Sequence, residues 1–267
     1  METKTKKKIK VAKFGGGIFR DPWSMPLIHT AIEYELVGAD GLVAVVSAMG
    51  KTTRELLAKM PEEFVPKEKR DSREMDLLMS CGENEAAALL TTFLINKGIK
   101  AKSFTGQQAG FITDDKYGKA EIIDLQIGNL ENFFYKNNDV AVVTGFQGVT
   151  RDGDITTLGF DGSDTTAAFA AYYLNETMDF EVPSCTFYKD VNGVYTLNPK
   201  NFPDEARLYK YLNYKEVLDG TAKGILHEKA LKLFRDKESF PDVIVRNINL
   251  SQHEFTTICH RQTEFYR

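Results

Sequence analysis

The chain has 267 residues, 42% of them hydrophobic and 27% charged, with a formal net charge of −4. That content builds a sizeable core in one large α/β domain or two small ones, and the charge excludes a basic nucleic-acid surface. No apolar segment of signal or membrane-span length follows the early lysine run, and Cys81, Cys185 and Cys259 are scattered; a cytoplasmic protein with free thiols, bound to neither membrane nor nucleic acid, is expected.

Residues 1–8 read as a solvated basic tail, and 9–267 as one catalytic domain. Ile9 to Phe14 ("IKVAKF") is a strand-like run ending at three glycines. A helical pattern covers Trp23 to Val37, and Gly41 to Gly50 reads as a buried strand with a small-residue end. The charged stretch from Met60 to Met75, with Pro61 and Pro66, reads as an excursion or helical hairpin over the site. A helix is expected over Asn84 to Asn96, opened by Gly82-Glu83. Strands are expected within Gly98 to Gly106 and Asp139 to Gly148, a helix over Ser163 to Leu174, and a strand with a turn in Val182 to Tyr195. Asn192-Gly193 there is a tight-turn signal for a β-hairpin. Tyr214 to Phe234 reads as helix and Asp242 to Ile248 as a last strand. "HEFTTICH" (His253 to His260) reads as an ordinary surface end and not a metal site. Strands alternating with helices imply crossovers and a mainly parallel sheet. Near-continuous apolar strands imply cover on both faces, hence a three-layer αβα sandwich.

In such sheets ligands sit at the carboxyl ends of the strands, and those ends hold the glycines of this sequence. Glycine there brings bare N–H groups close to phosphate oxygens, and Lys13 adds a mobile cation. "GKTT" is not the end of a P-loop, because Val45 occupies the place of the first glycine. "GGGIF" fails the dinucleotide spacing, because Arg20 stands at its last glycine.

Six ordered segments resemble the aspartate kinase branch of the amino acid kinase family. They are "VAKFGGG", "VVSAMGKTT", "CGENEAAALL", "TTLGFDGSDTTAA", "YKDVNGVYTLNPK" and "AKGILHEKAL". The resemblance runs from about Ile9 to Leu250 and implies an ATP-dependent kinase that phosphorylates a carboxylate. ATP would enter as its magnesium complex, with no metal held by protein ligands alone. By this resemblance Lys13 stabilises the transferring phosphoryl group, and Asp164, at the start of its helix, orients Lys13 or other site groups. Gly15, Gly16 and Ser163 hold phosphate oxygens, with Ser163 near the acceptor. Lys189, Asp190, Tyr195, Lys200 and Lys223 make the nucleotide side. Lys200 stands at an Arg position of the family, and Lys223 lies one place before the expected lysine. Ser47, Thr53 and Glu83 make the acceptor side, Glu83 pairing with a substrate ammonium. A small-molecule acid, a homodimer and either no regulatory partner or a separate regulatory chain are the partners implied.

The departures concentrate on the acceptor. Gly17-Ile18 replaces the family's Thr-Ser, and Phe160-Asp161 replaces an Arg-Gly pair. That Arg is expected to clamp the substrate α-carboxylate through a bidentate, charge-assisted pair. Phe160 offers neither charge nor donor, and Asp161 repels a second carboxylate. Losing such a partner at a buried site costs on the order of several kcal/mol. The chain also stops before the paired regulatory domains usual in the family, so no in-chain feedback control is expected. Three readings compete: a kinase for a carboxylate other than free L-aspartate, a true aspartate kinase whose Arg role passes to Arg20 or Arg151, and a non-catalytic nucleotide-binding partner subunit. Retention of the phosphate-handling residues argues against the third, and loss of the Arg favours the first.

Overall fold

The computed structural model describes residues 5–159, 161–221, 226, 228–235, 241–250 and 253–266. Its frame is a run of parallel strands ordered β3 (Ala101–Phe104), β6 (Val140–Thr144), β2 (Gly41–Val46), β1 (Lys7–Phe14), β10 (Ser184–Lys189) and β12 (Asp242–Asn247). β13 (Thr256–Cys259) continues it antiparallel to β12; β11 (Tyr209–Asn213) lies parallel to β13, and β14 (Glu264–Phe265) closes the edge. A short β9 (Phe180–Glu181) pairs with the start of β1.

The central strands are hydrophobic on both faces because both faces are covered. Ile9, Val11, Val43, Val45, Ala141 and Val143 face one layer, formed largely by α6 (Gly162–Asn175) and α5 (Gly128–Tyr135). Ala12, Phe14, Leu42, Ala44, Val46 and Val142 face the other, formed by α1 (Met25–Leu36) and α3 (Ser72–Asn96). The period-two alternation along β1 and β2 thus divides one sheet between two cores. This is the expected three-layer αβα sandwich on a mainly parallel sheet.

Several expectations are corrected. The helix expected from Gly82-Glu83 begins ten residues earlier, at Ser72, capped by the Asp71 carboxylate accepting from the Glu74 N–H at 3.1 Å. Glu83 is therefore mid-helix, not in a first turn. The charged residues of Ser72–Met75 read as loop because their polar face is the solvated one. No hairpin forms at Asn192-Gly193: β10 pairs only in parallel, and neither residue adopts the positive φ of a type I′ turn. Gly193 instead lies against β13, where an added Cβ would meet Thr256 Oγ1 at 2.4 Å. "HEFTTICH" is no surface end, since Thr256–Cys259 is a buried strand of the main sheet. The helix expected over Tyr214 to Phe234 divides into α7 (Tyr214–Glu216), which runs into a π-helical turn, and α8 (Glu228–Arg235).

A smaller sheet, unforeseen in the sequence, has the order β5 (Ile122–Leu125), β4 (Phe111–Thr113), β7 (Gln147–Val149), β8 (Ile155–Thr157). It sits beyond α4 (Gly106–Ala109), and β8 packs against α3. Together with α2 (Thr52–Ala58) it frames the space beyond the strand ends. No helix among the described residues is long and apolar enough to cross a membrane.

Candidate active site

A cavity of about 700 Å³ opens at the carboxyl ends of β1, β2 and β10, where parallel sheets hold their ligands. Lys13, the penultimate residue of β1, points into it and is only 6% exposed. Its Nζ lies 2.7 Å from Asp164 Oδ1. Asp164 stands in the first turn of α6, where the helix dipole favours a negative charge. Its other oxygen, Oδ2, lies 3.5 Å from Lys189 Nζ at the end of β10. One buried carboxylate therefore joins two ammonium groups. Burial holds the Lys189 ammonium below the usual lysine range, and the Asp164 charge opposes that drop.

The glycines beside Lys13 are needed for space. A Cβ on Gly15 would meet Lys13 Nζ at 2.8 Å, and one on Gly16 would meet the Ala48 carbonyl oxygen at 2.8 Å. Any side chain there would displace the lysine or the turn after β2. Bare backbone beside a lysine pair suits phosphate oxygens.

Opposite lies a second polar group. Ser47 Oγ donates to Ser163 Oγ at 2.9 Å. Glu83, 3% exposed, accepts from the Ala48 N–H at 3.0 Å through Oε1, while its buried Oε2 has no hydrogen-bond partner. Desolvation pushes the Glu83 carboxyl up to about 7, although the Ala48 N–H favours its charged form. Thr53 lines the same wall. Asp161 is the N-cap of α6 and one of three non-glycine residues with positive φ among those described, at φ 57. It lines the cavity.

Thus Lys13, Gly15, Gly16, Ser47, Thr53, Glu83, Asp161, Ser163, Lys189 and Asp190 line one cavity, and Asp164 anchors two of them. Ser163 and Asp164 lie inside the first turn of α6, whose N-cap is Asp161. Tyr195 and Lys200 do not line the cavity; Lys200 reaches its rim through Asp190, at 3.6 Å. Phe160 and Lys223 lie outside the described residues. The expected substitutes for the missing guanidinium do not face the cavity: Arg20 Nε donates to the Gly17 carbonyl at 2.9 Å, and Arg151 lies in the exposed turn between β7 and β8. Sequence reasoning missed Arg54, Phe146 and Tyr188, which do line it. Arg54 follows the "GKTT" turn directly, and its place one helical position past Thr53 was the available signal.

Parallel strands, glycine-bearing strand ends and a buried lysine–aspartate–lysine bridge define a class of α/β proteins whose strand-end site suits phosphate oxygens. Family comparison makes this specific: the amino acid kinase family model matches residues 8–247, and the chain belongs to that family. The chain is 38% identical over 234 residues to the aspartokinase of Geobacillus stearothermophilus, covering 86% of this chain and 54% of that protein. The structure of aspartate kinase from Synechocystis superposes with a TM-score of 0.76 at 31% identity, covering 95% of this chain and 40% of that one. Escherichia coli aspartokinase III, crystallised with aspartate and ADP, shares the fold at TM-score 0.78 and 22% identity, over 96% of this chain and 65% of that one. The chain spans about half the length of the curated relatives it matches.

Proposed function

We propose that this chain is an ATP-dependent kinase that transfers the γ-phosphoryl group to a carboxylate of a small amino acid or related acid other than free L-aspartate. The observation that carries the reading is the Lys13–Asp164–Lys189 bridge beside Gly15 and Gly16. The aspartate and ADP bound in the E. coli relative support the same pairing of acid and nucleotide.

Two anions must meet, so positioning and charge neutralisation carry the catalysis. Lys13 and Lys189 face the phosphoryl oxygens, and Asp164 fixes both ammonium groups before substrate arrives. The backbone of Gly15 and Gly16 holds the β- and γ-phosphate oxygens. Ser47 and Ser163 hold the acceptor carboxylate, and Glu83 Oε2 takes an ammonium donor. The carboxylate oxygen attacks the γ-phosphorus, the bond to the bridging oxygen breaks, and ADP leaves with that oxygen. The product is an acyl phosphate. No base is needed, because a carboxylate at neutral pH is already ionised. Magnesium would arrive bound to the phosphates and shield their charge; the described residues include no group of three or more His, Cys, Asp or Glu able to hold it alone. A cytoplasmic homodimer with small-molecule partners belongs to this reading; light scattering checks the dimer.

Hydroxylamine trapping across a panel of small acids tests the proposal, since acyl phosphates yield hydroxamates. Transfer with MgATP, lost in Lys13→Ala, is the expected result. Unchanged turnover in Lys13→Ala sinks the assignment, and aspartate as the best acceptor refutes the restriction on substrate. Failure of both trapping and nucleotide binding favours a non-catalytic subunit.

A further inference from the structure

The main cavity does not end at the acceptor wall. A second cavity of about 590 Å³ adjoins it, and the two share Arg54, Leu57, Met79 and Gly118. The second is bounded by α2, the loop after it and the first turns of α3. Met60, Met75 and Met79 give it adaptable apolar walls.

Both spaces hold charges of both signs: Glu83, Asp161 and Asp190 face Lys13, Lys51 and Lys189 in the main cavity, and Glu62 and Asp76 face Lys67 and Arg70 in the second. The acids Glu83 and Asp161 disfavour a second anionic group close beside them. The cations of the second cavity are mostly occupied. Lys67 pairs with Glu62, and Arg70 donates to the carbonyls of Val65, at 3.3 Å, and of Met60. Arg54 differs: among the described residues its guanidinium makes no ion pair or side-chain hydrogen bond, and it lines both cavities. The chain has no guanidinium at position 160, and Arg20 and Arg151 do not face the site. Arg54 is then the only guanidinium among the described residues lining the main cavity.

We propose that Arg54 forms a distal acceptor subsite at the junction of the two cavities. The acceptor is accordingly an acid with a second anionic group farther from its reacting carboxylate than in aspartate. This rests on the carboxylate-kinase reading above. The reacting end lies at Ser47 and Ser163, the apolar body passes Leu57 and Met79, and the far anion meets Arg54 at its planar, bidentate face.

The test compares wild type with Arg54→Gln on α-amino diacids of increasing length from aspartate upward. Each diacid is paired with its analogue amidated at the far carboxylate. Wild type should prefer a diacid longer than aspartate. Arg54→Gln should raise KM for that diacid about tenfold, the weight of a charge-assisted hydrogen bond, and leave kcat and the KM of the amide unchanged. Equal losses for diacid and amide, or aspartate as the best acceptor, overturn the proposal. Met75→Trp, which fills the second cavity, should raise KM for the longer acids and spare aspartate; an equal effect on all lengths also overturns it. Should wild type form no hydroxamate with any acid, the kinase reading fails separately. Calorimetric titration of the longer diacids then still tests Arg54, since equal affinity of wild type and Arg54→Gln removes the subsite.

Discussion

Lys189 stands at the end of β10, two residues past Phe187, the register partner of Lys13 on β1, and its Nζ lies 3.5 Å from Asp164 Oδ2. The family resemblance assigns it to the nucleotide; the proposed function instead sets it, with Lys13, at the transferring group, because both ammonium groups meet Asp164. Lys189→Ala should therefore lower kcat by about a hundredfold or more, the scale of a lost transition-state charge, while ADP affinity changes little. Single-turnover rates and ADP titration separate the two; a large loss of ADP affinity with intact kcat returns Lys189 to the nucleotide. Glu83 gives a pH signature. Its folded-state pKa of about 7 exceeds its ordinary 4.5. Between these values the unfolded carboxyl has lost its proton and the folded one keeps it. Stability therefore falls as pH rises through this window and levels off above 7, by about 3 kcal/mol in all. Glu83→Gln should lack that slope in urea unfolding. Acceptors bearing an ammonium should bind more tightly as pH passes 7, because only ionised Glu83 pairs with them. Parallel slopes in the two proteins would remove the assignment.

At the scale of elements, α3 shows how one helix serves both core and site. Ala86, Ala87, Leu90 and Leu94 pack on the sheet, while Glu83 faces the cavity. Asp76, fully buried, accepts from the Gly118 N–H at 2.8 Å, the Thr157 N–H at 2.8 Å and the Thr157 hydroxyl at 2.7 Å. It ties the helix to β8 and thus to the loop that leads into α6. Asp76→Ala should strand these donors and cost about 3 kcal/mol, lowering Tm by roughly 6–12 °C. A thermal melt within the error of wild type would show the tie to be dispensable. The long apolar strands and the alanine-rich α6 were legible because burial on two faces leaves no other reading of such runs. The first turns of α3 were not, because Arg73 and Glu74 sit on a solvated face and mask its inward Met75 and Met79. The small sheet was not, because three-residue strands carry no period. β13 was hidden in a segment whose His and Cys drew attention to metal chemistry. The lysine, serine and glutamate positions of the site were legible through ordered motifs. The link from Asp164 on to Lys189 and the place of Arg54 depend on tertiary contacts between segments far apart in sequence.

At the scale of the molecule, two cores share one sheet. β1, β2, β6 and β10 each contribute buried side chains to both helical layers. Neither layer can separate without exposing those strands, so their amides should open only with global unfolding. The small sheet is built differently. Its outer strand β5 is only partly buried, and each of its strands has three or four residues. Its amides should open at lower free energy, with Asp76 and Thr157 holding the most protected point. The proposed function sets the acceptor side on the small sheet and α2, and the phosphate side on β1, β10 and α6. Nucleotide binding should stabilise the phosphate side and the whole fold by mass action, about 2.7 kcal/mol at a hundred times Kd, while local openings of the small sheet stay unchanged. An elongated acceptor should slow exchange in α2 and around Gly118. Hydrogen exchange with MgADP, and then with a bound diacid, checks both. Equal protection of the two sheets in the free protein, or nucleotide suppressing the local openings of the small sheet, would show that phosphate and acceptor sides open as one unit.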